Sequence, residues 1–89
     1  VIRLSFPPLT EERRKQLVKV VRSMAEEGRV NLRNIRRSSR QDLDSLLKEG
    51  DASSDSVKRA EENVDQITRE YENEINTALD QKQEELLEV

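Results

Sequence analysis

The stretch RVNLRNIRRSSR, residues 29–40, carries five arginines in twelve positions and no carboxylate. A guanidinium is charged at every working pH and presents a rigid fork of N–H donors that fits the oxygens of a carboxylate or a phosphate. The chemistry open to this cluster is anion recognition rather than bond making. Most other chemistry is closed to the chain. It contains no His and no Cys, which removes the commonest general base, the thiol nucleophile, disulfides and Cys-based metal sites. No glycine-rich loop suited to cradling a phosphate is present. Asp42 with Asp44, and Glu84 with Glu85, read as solvated faces or helix-dipole partners rather than acid–base pairs. The expectation is a protein that is not an enzyme and uses no cofactor and no metal.

The elements that must position these arginines follow from composition and periodicity. The chain has 89 residues, 39% charged and 33% apolar, with one Phe, one Tyr and no Trp. That is at most one small domain, and its abundance of Glu, Lys, Arg, Leu and Gln suits long amphipathic helices better than an ordinary globular core. The formal net charge of −3 hides a partition: residues 1–49 are net +5 and residues 50–89 net −8. No run of 18 apolar residues exists, so no membrane span is expected. The opening VIRLSFPPLT has neither a signal-peptide core nor a Met. It reads as an internal cut, which makes the chain a fragment, with the cytoplasm as its default compartment.

Residues 1–9 alternate apolar and polar and then meet Pro7-Pro8, a pattern for a short extended segment. Thr10 is a suitable N-cap, with Leu9 placed to staple to the first turn and Glu11 and Glu12 inside it. A long basic helix is predicted over residues 10–49, with Leu17, Val21, Met24, Gly28, Leu32, Ile35, Ser39, Leu43 and Leu46 stepping by three or four along one stripe. Gly28 inside that stripe points either to close approach of a neighbouring helix or to a bend. A turn is predicted over 50–54, with Gly50 past the helix end and Ser53 or Ser54 as the next cap. A long acidic helix over 55–89 carries Val57, Ala60, Val64, Ile67, Tyr71, Ile75, Ala78 and Leu86 at the same spacing, with Lys82 in one apolar slot. The short connection makes the pair antiparallel. Each stripe is wider than one partner covers, so a third helix is missing, to be supplied by another part of the parent chain or by a second copy. The fold class is therefore all-α, a long antiparallel helical hairpin forming two helices of a three-helix bundle.

With Arg14 at zero and about 100° per residue, Arg22, Arg29, Arg33, Arg36 and Arg40 fall at about 80, 60, 100, 40 and 80°. The six form a stripe about 40 Å long beside the apolar one, flanked by Arg13, Lys15 and Arg37. One reading is a solvated or paired face, neutralised by Glu61, Glu62, Asp65, Glu70, Glu72 or Glu74 at little energetic consequence. The other is an RNA-binding edge. In its favour, the stripe is all Arg, it holds almost no interleaved acid, and Asn31 and Asn34 stand beside it. The scarcity of aromatic residues argues against stacking on single strands.

The combination PPLTEERRKQLVK, RVNLRNIRR and a closing KQEELLEV resembles the C-terminal part of the bacterial ribosome recycling factor family, over essentially the whole chain. The resemblance implies a three-helix-bundle domain interrupted by a small β-rich second domain, with this chain supplying the return segment and the second and third helices. It also implies disassembly of the post-termination ribosome together with elongation factor G and GTP, with the bundle lying on large-subunit ribosomal RNA. On the matching motifs Arg14, Arg33 and Arg36 take the family's RNA-contacting positions, and Pro7-Pro8 the interdomain hinge. Arg22, Arg29, Arg37 and Arg40 join the expected RNA-binding set from helix geometry. Gly28 stands where a small helix former such as Ala is expected. The alternative is a structural hairpin that self-associates through its apolar stripe.

Overall fold

The computed structural model describes residues 10–87 and consists of two helices, α1 (Glu11–Lys48) and α2 (Ser54–Leu87), packed side by side in an antiparallel hairpin. Its extents are 70 × 25 × 19 Å, a rod. The expected extended segment, with Leu9 and the expected hinge residues Pro7 and Pro8, lies outside the described residues.

Local sequence explains both ends of α1. Thr10 sits in extended backbone and its hydroxyl accepts the Arg13 N–H at 3.0 Å, while Glu11 and Glu12 occupy the first turn. At the other end the Gly50 N–H donates to the Leu47 carbonyl at 3.2 Å and the Asp51 N–H to the Leu46 carbonyl at 3.0 Å. This pair of bonds satisfies two terminal carbonyls and requires a left-handed residue after the cap; Gly50 supplies it, with φ of 76°. Ser53 caps α2 by accepting the Ser56 N–H at 3.2 Å. The second helix therefore starts at Ser54, one residue earlier than the periodicity suggests.

The core is thin. Among the described residues Val18, Ala25, Val57 and Thr68 are buried, and no large side chain is fully enclosed. The single apolar stripe expected on each helix divides into two faces. On α1, Val18, Ala25, Leu32 and Leu43 lie at about 0–40° from Arg14 and meet α2, whereas Leu17, Met24 and Ile35 lie at about 280–300°. Met24 and Ile35 are 63% and 62% exposed. Ile67 and Tyr71 on α2 are likewise about half exposed. The stripe residues Met24, Ile35, Ile67 and Tyr71 are thus outside the hairpin core, and Val18, Ala25 and Thr68, which the stripe omitted, are inside it. One helix can cover only an arc of its neighbour, so the rest of a wide stripe stays open. The open side forms a groove lined by Val21, Met24, Ala25, Ile75, Ala78, Leu79 and Lys82.

Of the two readings of Gly28, close approach is the observed one. A Cβ built there would lie 3.2 Å from Ile75 Cδ1, and α1 continues unbroken through the position.

Candidate nucleic-acid interface

The arginines lie on the flank of the packed seam opposite the open apolar groove. Three of them reach across to α2. An Arg22 terminal nitrogen donates to Gln83 Oε1 at 3.2 Å. Arg29 donates to Asn76 Oδ1 through Nε at 3.1 Å and Nη2 at 2.7 Å. Arg40 pairs with the Asp65 carboxylate. The two helices are therefore in a fixed antiparallel register, each arginine meeting the residue directly across from it.

These contacts modify the expected picture of the stripe. Glu26, about 120° from Arg14 and so just outside the arc, binds Arg29 at 3.1 Å and lies 3.9 Å from Arg33. The edge is not free of acid. Of the six carboxylates offered by α2 as neutralising partners, Asp65 is the one whose ion pair to an arginine is observed among the described residues. Glu61, Glu62, Glu70, Glu72 and Glu74 make none there. The second Asp65 oxygen is buried and accepts no hydrogen bond among the described residues.

Arg33, Arg36, Arg37 and Arg40 come together. With Gln41 and Asp44 they line a shallow depression on the surface of α1. Arg33 and Arg40 each expose half of their side chains. Arg36 is half-buried and Arg37 exposed, and neither has a hydrogen bond or ion pair to another described residue. Arg14 stands apart, near the start of α1 and half-buried. Arg29 is the most committed of the set, with 22% of its side chain exposed. Chemically, the depression offers several guanidinium forks within two helical turns, an arrangement that suits a run of phosphates better than one small anion. Among the described residues no group of three or more metal-ligating side chains is found, and no helix is long and apolar enough to cross a membrane.

Sequence reasoning missed Asn76, Gln83 and Glu26. The first two were visible only through the antiparallel register, in which positions summing to about the same number face each other. Glu26 was visible as an acid three residues before Arg29, a spacing that brings side chains together on a helix.

The family model for ribosome recycling factor matches residues 1–87. The chain belongs to the ribosome recycling factor family. It is 49% identical to the ribosome-recycling factor of Acidothermus cellulolyticus, 51% to that of Alcanivorax borkumensis and 46% to that of Bacillus velezensis, each over 89 residues. In every case the match covers all of this chain and 48% of the relative. The chain thus spans about half the length of the curated ribosome recycling factors it matches.

Proposed function

We propose that the chain is the ribosome-contacting part of a recycling factor and that its arginine edge binds large-subunit ribosomal RNA. Arg33, Arg36 and Arg37 form the centre of the interface, Arg40, paired with Asp65, borders it, Arg14 extends it toward the start of α1, and Arg22 and Arg29 flank it. The observation that carries this reading is a shallow depression lined by four arginines with Gln41 and Asp44, in which Arg36 and Arg37 have no partner among the described residues. A face built for internal pairing would have engaged them. The role is positional and non-enzymatic: a stiff rod with one cationic edge lies along phosphates and reads shape. In the whole protein, elongation factor G and GTP supply the force that separates the subunits, and a further helix covers the open groove.

Co-sedimentation with isolated large ribosomal subunits over a salt series tests the assignment. Saturable binding that falls steeply with salt, and is lost in Arg33→Ala/Arg36→Ala, is the expected result. Binding indifferent to both arginines would overturn it.

A second reading has its own observation. Exposed Met24, Ile35, Ile67 and Tyr71 leave an apolar face of the kind that recruits a partner, and the chain alone covers it by self-association.

A further inference from the structure

We propose that Asn76 and Gln83 are positioning residues for the arginine edge: neutral amides that aim Arg29 and Arg22 without cancelling their charge. The inference rests on the RNA-binding reading above. Its starting point is a contrast along one seam. Among the described residues Arg40 crosses from α1 to the Asp65 carboxylate, while Arg29 and Arg22 cross to amide oxygens. A carboxylate holds a guanidinium and removes its net charge. An amide oxygen accepts the same hydrogen bonds and carries no charge.

The choice of amide is notable given what surrounds it. Residues 50–89 hold twelve acids, and Asn76 is flanked by Glu72, Glu74 and Asp80, Gln83 by Glu84 and Glu85. Taking Val57 as zero, Asn76 and Gln83 lie at about 100 and 80°, with Asp65 also at about 80°. Glu74, Glu84 and Glu85 lie at about 260, 180 and 280°, turned from the arginines, whereas Glu72 at about 60° shares their side and makes no ion pair to an arginine among the described residues. Within this most acidic half of the chain, the described acceptors for Arg22 and Arg29 are uncharged.

The geometry at Asn76 is two-pronged. Its Oδ1 accepts from both Nε and Nη2 of Arg29, and the third nitrogen donates to Glu26 Oε2. A guanidinium has five N–H groups, so one on each terminal nitrogen stays available to an incoming phosphate. An arginine already held in place loses less side-chain freedom when that phosphate arrives. Arg22 is held by one bond through Gln83, a looser version of the same arrangement. Glu26 offsets part of the Arg29 charge, and a carboxylate at position 76 would enclose the guanidinium between two acids and take it out of the edge.

The test uses the 89-residue chain and isolated large ribosomal subunits, with affinity measured across a salt series for Asn76→Asp, Asn76→Ala and Arg33→Ala/Arg36→Ala. Asn76→Asp is expected to weaken binding about tenfold and to flatten the dependence of log K on log salt by up to about one unit, the equivalent of one phosphate contact. Its melting temperature is expected to stay level or rise, because the Arg29 pair becomes an ion pair. Asn76→Ala keeps the charge but not the aim; it is expected to weaken binding about threefold with the salt slope unchanged. Wild-type affinity and slope in Asn76→Asp, with binding lost in the double arginine variant, would overturn the positioning role and leave the edge standing. Weaker binding of Asn76→Asp at unchanged slope would mark a purely structural contact and overturn it too. Wild-type binding by the double arginine variant would remove the RNA-binding reading itself, and the role of Asn76 with it.

Discussion

Gly28→Ala is expected to stabilise the hairpin, although Gly28 is a point of close helix approach. In the middle of a helix Ala is favoured over Gly by about 1 kcal/mol. Against this stands a contact of 3.2 Å between the new Cβ and Ile75 Cδ1, shorter than the 3.4 Å at which ordinary van der Waals contact begins. The atom that must yield is the tip of a side chain, and it borders the open groove between Met24, Ala78 and Lys82. A few tenths of an ångström of movement into that space relieves the contact, at a cost well under the ~0.5–1.5 kcal/mol of a side chain held 30° off its rotamer. The net gain is about 0.5–1 kcal/mol, or a rise of about 2–8 °C in melting temperature for a domain of this size. Thermal unfolding followed by far-ultraviolet circular dichroism at one fixed protein concentration reads it. Ile75→Val, which deletes Cδ1, completes a double-mutant cycle: if Ile75 yields freely, the two substitutions add. A melting temperature that falls in Gly28→Ala, with rescue by Ile75→Val, would refute the reasoning, because Ile75 would then be wedged rather than facing open space.

Three further outcomes are expected. Arg36→Ala should weaken large-subunit binding by roughly 1–3 kcal/mol with only the small loss of melting temperature that follows from removing its half-buried stem; wild-type affinity in the same sedimentation assay would contradict its central place. Thr68→Val should stabilise the chain by about 0.5–1 kcal/mol in thermal unfolding, because the buried Thr68 hydroxyl donates at 2.7 Å only to the Val64 carbonyl of its own helix and Val keeps the shape while removing a polar group from the core. Analytical ultracentrifugation of the isolated chain should show concentration-dependent association that Met24→Gln/Ile67→Gln abolishes, and a clean monomer over a wide concentration range would exclude the self-associating reading.

Both helices, the turn and the caps were legible because each rests on local chemistry: Thr10 before Glu11 and Glu12, Gly50 after Lys48, Ser53 before Asp55. The excess width of the apolar stripes was legible too. Which half of each stripe would pack was not. Periodicity places Met24 and Ala25 a single residue apart and cannot say that the smaller one faces α2, a choice set by how closely two helix backbones approach at Gly28. The arginine stripe was readable as an arc on α1, but its pairing pattern was not, because Asn76 and Gln83 are ordinary amides until the register sets them across from Arg29 and Arg22. The same limit explains Thr68, which reads as polar in sequence and is buried because it lies about 20° from Val57 on the packed side of α2.

The cross-helix pairs have one more consequence. Two long helices with near-heptad seams can slide past each other by seven residues and still match apolar face to apolar face. In this hairpin a seven-residue displacement that moves the turn back into α1 would set Arg29 against Arg69 and Arg40 against Lys58, like charges in both places. The opposite displacement would set Arg29 against Gln83 and Arg40 against Glu72, an amide and a carboxylate as before, so the arginines alone do not bar it. Either one also removes Gly50 from the single site where its positive φ closes α1. Like charge at Arg29 and Arg40 thus bars sliding one way, and Gly50, fixed at the end of α1, bars it both ways.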